Sequence, residues 1–454
     1  MSLTSTNPTT GNMLKEYPEL TDTELDEKLT LAESQFVSWK KTSFEERANL
    51  FLTLAGLFKS RGTEIGTLAT QEMGKPLAQA IAEVEKCASV CEYYAHHAAT
   101  ILAETSIASD ASESYVRFDP TGAVLAVMPW NFPFWQVMRF AAPALMAGNV
   151  GLLKHASNVP QCSEALEDLF LEAGFPVGVF QNLLIGSAKV ERVIRHNIVQ
   201  GVALTGSEFA GSKVAALAGS LIKKTVLELG GSDPFIVLED ADIETTAAAA
   251  VKARFQNNGQ SCIAAKRFII VDAVYDAFLS AFKTNVEALV IGDPMDLTTA
   301  IGPMVNNSSR AEIEKQVADS VALGAVIETG GAYLERPGFY FAPTILSNVK
   351  SGMPAYHDEL FGPVASVIRV KDAEEAIHVA NDTVFGLGSS IWTKNLELAK
   401  ELAPRIRAGS VFVNGMVKSD VRLPFGGTGI SGYGRELSSY GILEFVNIKT
   451  VWVK

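Results

Sequence analysis

Between residues 123 and 218, short continuous apolar runs alternate with longer segments of helical character. Ala123–Met128, Val150–Leu153, Asn182–Ile185 and Val202–Leu204 have the length and composition of buried strands. Trp135–Met146, Pro160–Ala173, Ala188–His196 and Phe209–Ala218 follow them in turn as helices. This order predicts an α/β fold: a parallel sheet whose apolar strands are covered by helices on both faces. Ligands of such sheets sit at the carboxyl ends of the strands, so the residues just after each run are the ones to inspect.

A second α/β region begins near Gly230, with candidate strands at Pro234–Leu238, Arg267–Val271 and Ser410–Val413. The first hundred residues read as helices. Thr21 with Glu24 and Ser43 with Glu46 form capping boxes, each followed by an apolar face. At the other end, Phe445–Val453 alternates Val446, Ile448 and Trp452 against Asn447 and Lys449, the pattern of a strand with one apolar face. Its edge needs a partner, from a second subunit or from its own chain.

A chain of 454 residues exceeds one hydrophobic core, and two or three domains are expected. The net charge of −13 makes a phosphate backbone an unfavourable partner, so no nucleic acid is expected. No charge-free run of about 20 apolar residues occurs, so no transmembrane helix is expected, and no secretory signal is evident. Four cysteines, Cys87, Cys91, Cys162 and Cys262, are too few for a disulfide framework and fit a reducing, cytoplasmic setting.

Cys262 differs from the other three, which lie in predicted helices. It ends the polar turn Asn257-Asn258-Gly259-Gln260-Ser261, where a thiol has the access that reactivity needs. Glu228 lies in the apolar run Thr225-Val226-Leu227-Glu228-Leu229 before Gly230-Gly231. A carboxyl buried there has a raised pKa, as suits a general base near neutral pH; a structural ion pair is the alternative. Asn131 sits in the rigid turn Pro129-Trp130-Asn131-Phe132-Pro133, where its amide can face a developing oxyanion or cap the turn. Lys154 ends one apolar run and Thr205-Gly206-Ser207 ends another, opening a helix as a diphosphate site does. His357-Asp358-Glu359-Leu360-Phe361-Gly362-Pro363 offers Glu359 for a ribose hydroxyl pair. No metal site is expected.

Taken in order, Pro-Trp-Asn-Phe-Pro, Leu-Glu-Leu-Gly-Gly, Gly-Gln-Ser-Cys and Glu-Leu-Phe-Gly-Pro resemble the motifs of the aldehyde dehydrogenase superfamily over nearly the whole chain. That resemblance implies a Rossmann-like cofactor-binding domain (residues 1–110 and 124–228), a second α/β catalytic domain (229–430) and a small β oligomerisation element (111–123 and 431–454). It gives Cys262 the role of nucleophile, Glu228 that of base and Asn131 that of oxyanion donor. It sets Trp130, Lys154, Ser157, Thr205, Gly206, Ser207, Leu229, Glu359 and Phe361 against the cofactor, and implies a homodimer or homotetramer.

The run Trp135-Gln136-Val137-Met138-Arg139-Phe140 and the closing Gly434-Arg435-Glu436-Leu437 are similar to the shorter bacterial succinate-semialdehyde dehydrogenases of that superfamily. Arg139 lies two helical turns beyond Asn131, from where its guanidinium is expected to reach the substrate tunnel and hold a carboxylate; a structural Arg paired with an acid is the alternative. Ser261 and Ser419 are further substrate candidates, with Arg422 beside them. Longer relatives carry an Arg where this chain has Gln256, which weakens the clamp. Ser157 stands where NAD-preferring relatives often have an acid, so NADP is favoured over NAD. Thr428-Gly429-Ile430 and Gly186-Ser187-Ala188-Lys189 depart from the family pattern, and His155 is placed near the ribose only loosely. The expected reaction is oxidation of an aldehyde, succinate semialdehyde foremost, through a thiohemiacetal and a thioester on Cys262. The alternatives are a broader aldehyde dehydrogenase, a CoA-acylating enzyme, which Glu228 opposes, and a non-catalytic binding protein. A cysteine hydrolase would need a His in a comparable polar motif, and none of the six histidines lies in one.

Overall fold

Ala123–Met128 lies in the interior of a six-stranded sheet in a computed structural model that describes residues 2–454. The order across the sheet is Gly432–Tyr433, Lys224–Glu228, Val199–Thr205, Ala123–Met128, Val150–His155 and Phe180–Asn182. The last five are mutually parallel; Gly432–Tyr433 pairs antiparallel, with Gly432 opposite Glu228. The chain leaves Ala123–Met128 first toward one edge and later toward the other. This reversal opens a crevice beyond the ends of Met128 and Thr205, where such sheets bind ligands.

The predicted α/β pattern is the observed one, with shifts at the ends. The runs expected at 150–153 and 202–204 lengthen to Val150–His155 and Val199–Thr205, because Lys154 and Thr205 stay in the ladder although they are polar. The strand expected at Asn182–Ile185 lies earlier, at Phe180–Asn182. Ala188–His196 is a 3-10 turn, Ser187–Lys189, followed by the short helix Val190–Arg195.

The first hundred residues are not all helical. Ser2–Thr6 and Met13–Pro18 form an antiparallel pair, which a Ser/Thr-rich segment hides from a reading of apolar periodicity. Four helices follow, Asp22–Trp39, Phe44–Ser60, Gly62–Met73 and Leu77–Ile101, and both predicted capping boxes are made. They pack on the first sheet together with Trp135–Met146 to build the larger core.

The second sheet has seven strands, in the order Val326–Thr329, Thr344–Ser347, Val364–Val370, Ala265–Val271, Asp233–Val237, Gly388–Trp392 and Ser410–Val413. All neighbours are parallel except the first pair. The chain-terminal strand, Val446–Val453, pairs antiparallel with Glu113–Pro120 of its own chain, and Thr105–Ser106 completes a three-stranded sheet. Val446–Val453 is therefore satisfied on one side within the chain and forms an edge on the other. No helix among the described residues is long and apolar enough to cross a membrane.

Candidate active site

The segment before Cys262 is a backbone built to one shape. Asn257, Asn258 and Gly259 take three successive left-handed conformations, φ 56°, 57° and 72°. Asparagine tolerates that region better than most residues, and a Cβ on Gly259 would stand 2.4 Å from the Gly362 carbonyl oxygen. Side chains lock the turn. Asn257 Nδ2 donates to the carbonyls of Asn131 and Gln260, both at 2.9 Å. Asn258 Nδ2 donates to the carbonyls of Gly74 and Pro303, both at 2.8 Å, and its Oδ1 accepts from Gly302 N–H. Asn131 Nδ2 donates to the Gln260 carbonyl at 3.1 Å, which ties the Pro-flanked turn to the cysteine turn and leaves one amide hydrogen free. Lys266, which the sequence reading passed over, donates to the carbonyls of Ser261 and Cys262, each at 2.7 Å, and to Glu359 Oε1 at 3.1 Å.

Cys262 is half-buried, whereas Cys87, Cys91 and Cys162 are fully buried. Burial pushes the Cys262 thiol up to about 12; Arg139 and Lys266 pull against that rise without cancelling it. The resting group is thus a protonated thiol, and its reactivity depends on what enters the site.

Cys262 borders a cavity of about 610 Å³ that also meets Phe132, Trp135, Arg139, Ser261 and Ser419. One wall is a face of the Leu77–Ile101 helix, where Ala78, Ala82 and Lys86 recur at every fourth residue. Gln256 and Phe425 also line it. Lys86 was not a sequence candidate. Its Nζ donates to Ser419 Oγ at 2.6 Å and stands 4.3 Å from the centre of the Trp135 ring. Trp135 Nε1 also donates to Ser419 Oγ, at 3.1 Å. Arg422 turns outward and pairs with Asp420, so it does not supplement this wall.

Arg139 borders the cavity. Its Nε lies 2.6 Å from Glu436 Oε2 and its guanidinium stacks on Phe425, so an ion pair forms on that side, while Nη2 is buried with no hydrogen-bond partner. Glu228 lies close to the same cluster. It is buried, neither carboxylate oxygen has a hydrogen-bond partner, and it does not border the cavity. Burial, then the neighbouring Glu436, drives its pKa well above the usual carboxylate range, although Arg139 and Arg435 oppose the shift. Burial raises Glu436 too, against Arg139.

The cofactor candidates gather around the other crevice. Lys154 is buried at the end of its strand, with its pKa lowered by burial. Thr205 Oγ1 is buried with no hydrogen-bond partner, and Ser207 caps the Glu208–Ser220 helix. An unpaired ammonium, an orphaned hydroxyl and a helix N-terminus suit a phosphorylated ligand. Ser157 is exposed in the loop after Lys154. Trp130 and Phe361 meet edge to face at 5.7 Å, and Glu359 accepts from Gly231 N–H at 3.1 Å. Leu229 packs with Leu204 and Leu227 under that helix, close enough that Gly211 has room for no side chain.

Both ring nitrogens of His155 are engaged within the chain. Nε2 sits 2.8 Å from the Pro133 carbonyl and Nδ1 accepts from Ala156 N–H, while burial lowers its pKa to about 4. This neutral ring braces the Asn131 turn. The two departures from the expected pattern are short turns: Ser187–Lys189 packs toward Leu20 and Asp22, and Gly429–Ser431 is hydrogen-bonded to Val384 and Gly386 through its flanks.

A model of the aldehyde dehydrogenase family matches residues 1–451. The chain is 51% identical over 453 residues to the probable succinate-semialdehyde dehydrogenase [NADP(+)] of Synechocystis, with both chains fully covered. It is 50% identical over 456 residues to succinate-semialdehyde dehydrogenase [NADP(+)] 1 of Mycobacterium bovis, again with both fully covered. Among solved structures, succinic semialdehyde dehydrogenase from Streptococcus pyogenes in complex with NADP+ superposes with a TM-score of 0.97 at 38% identity, covering 99% of each chain.

Proposed function

Because this chain belongs to the aldehyde dehydrogenase family, we propose that it oxidises succinate semialdehyde to succinate, with NADP as the hydride acceptor. The observation that carries this reading is the shared cavity, in which a half-buried thiol meets a wall of basic and hydroxyl side chains.

Cys262 gives its proton to solvent water in the cavity mouth and its sulfur attacks the aldehyde carbon, the C=O pair moving onto an oxygen that the Cys262 N–H and the free amide hydrogen of Asn131 would stabilise. Fixing that geometry is the task of the left-handed turn and of Lys266. Lys154, Thr205, Ser207 and Glu359 would hold the dinucleotide, with Trp130, Gly206, Leu229 and Phe361 lining its groove and Ser157 beside a 2′-phosphate. Bound there, the nicotinamide would take up the hydride that leaves the thiohemiacetal carbon. Glu228 then turns out of its pocket beside Glu436. Away from burial and that neighbour its pKa falls, and it takes a proton from water as the hydroxide adds to the thioester and the Cys262 sulfur leaves.

Steady-state kinetics on short aldehydes with and without a terminal carboxylate, with each cofactor, test the reading. The expected result is highest kcat/KM for succinate semialdehyde with NADP. No turnover of that aldehyde, or a clear NAD preference, refutes the corresponding half.

We also infer a homodimer or homotetramer joined through the three-stranded sheet. Its outer edge is open, and Ile448 and Trp452 are 60% and 48% exposed. Four free cysteines fit a cytoplasmic setting. Light scattering of wild type and of Ile448→Lys, Trp452→Lys tests the assembly; a monomeric wild type rules it out.

A further inference from the structure

We propose that Lys86 is a further cation that receives the substrate's terminal carboxylate, with Ser419 as its hydrogen-bonding companion; this rests on the anionic-aldehyde reading above. Four basic side chains border the cavity: Lys86, Arg139, Lys252 and Lys418. Lys252 and Lys418 are exposed, and Arg139 shares its charge with Glu436 through Nε, with Nη2 left unpartnered. Lys86 is neither exposed nor paired with a carboxylate.

The two acids nearest to it are engaged elsewhere. Glu83, one turn earlier on the same helix, pairs with buried Lys75 and accepts from the N–H groups of Phe134 at 2.8 Å and Trp135 at 3.0 Å. Asp420 is held by Arg422 through both carboxylate oxygens, at 2.9 and 2.7 Å. An ammonium withdrawn from water without an anion is costly, and groups left in that condition in a cleft are functional candidates. Burial and the nearby Arg139 lower its pKa to about 8, so it still carries charge at neutral pH.

The donor count fits a carboxylate. Ser419 Oγ accepts from both Lys86 Nζ and Trp135 Nε1, so its own O–H is left to donate outward. Lys86 spends one of its three N–H bonds on Ser419 and keeps two. Gln256, which also lines the cavity, has no charge. Lys86 therefore adds a second cation to the one that Arg139 brings to this cavity, and unlike Arg139 it has no acid beside it.

The test compares wild type, Lys86→Met and Lys86→Arg on succinate semialdehyde and on pentanal, a neutral aldehyde of similar length. We expect the ratio of kcat/KM for the acid aldehyde to that for pentanal to fall by about tenfold or more in K86M, mainly through KM, and to recover in large part in K86R. An unchanged ratio in K86M overturns the proposal while leaving succinate semialdehyde as substrate. A wild type that does not favour the acid aldehyde instead overturns the underlying reading. NADP binding checks that the variants fold. Should K86M fail that check, Ser419→Ala carries the test, with a smaller loss in the same direction expected and an unchanged ratio counting against Lys86.

Discussion

Arg139 Nε stands 2.6 Å from Glu436 Oε2, with 3% and 6% of the two side chains exposed. Glu228 lies close enough that Arg139 and Glu436 pull its pKa in opposite directions. One guanidinium thus faces two buried carboxyls. Removing one member of a buried pair strands the other, so Arg139→Met should cost about 3 kcal/mol of unfolding free energy, and adding Glu436→Gln should restore a good part of it. Without Arg139, the folded pKa values of both acids rise further above their unfolded values. Such groups erode stability as pH climbs from the unfolded toward the folded value, and with Arg139 present that erosion ends at a lower folded value, so the deficit should widen as pH rises from acid toward alkaline values. Urea unfolding across that range measures it, and a deficit that shrinks with pH contradicts the arrangement.

Cys262 is the one cysteine with both access and cationic neighbours, yet its thiol is pushed up to about 12. Alkylation of the free enzyme by iodoacetamide should therefore be slow at neutral pH and quicken by about tenfold per pH unit above it. A single site should react in the native chain, since burial raises the other three thiols as well. Cys262→Ala should abolish both labelling and aldehyde oxidation while NADP still binds; retained turnover would remove Cys262 from the chemistry.

Ser157 is exposed beside Lys154. An acid at this position repels a 2′-phosphate and accepts from a 2′-hydroxyl. Ser157→Glu should therefore lower the NADP-to-NAD ratio of kcat/KM by about tenfold to a hundredfold, mostly through the NADP KM. Equal effects on both cofactors would place the 2′ position elsewhere.

The groups facing Lys86 are Glu83 and Cys87 from its own helix, Arg139 from the Trp135–Met146 helix and Asp420 from the loop after Ser419. Asp420 is held far below the usual carboxylate range by Arg422, and burial drives Cys87 far above the usual thiol range, so neither changes charge near neutrality. Lys86, at about 8, does. The ratio of KM for succinate semialdehyde to KM for pentanal should be flat below about pH 7 and rise toward tenfold per unit above about pH 9. That rise should vanish in K86M. A ratio that stays flat through pH 9 in wild type leaves Lys86 without a charge-dependent part in binding.

The nucleophile turn was readable because its special residues are adjacent in the chain: Asn, Asn and Gly announce a left-handed backbone, and the thiol follows at once. The strands of the first sheet were readable for the same local reason. Arg139 was found, but its partner was not, because Glu436 meets it only when the antiparallel Gly432–Tyr433 strand brings the end of the chain back to Glu228. Lys86 left no local mark. On a helix rich in polar residues it reads as a solvated lysine, and only contact with Ser419 and Trp135 removes it from water. A faint signal existed for Lys266, a lysine opening the apolar run Phe268-Ile269-Ile270-Val271, where a charge demands a buried partner.

The cavity joins two kinds of wall with different capacities for change. The turn at Asn257–Gly259 is held by five side-chain hydrogen bonds from its two asparagines and a glycine without room for a Cβ, so almost any substitution there displaces the sulfur. The helical wall of Ala78, Ala82 and Lys86 presents ordinary side chains from a regular backbone, and these can be exchanged one by one while the nucleophile stays in place. A lineage that drifts toward a new aldehyde is therefore freer to do so along this helix, and a mutant library aimed at new substrates has its most productive positions there.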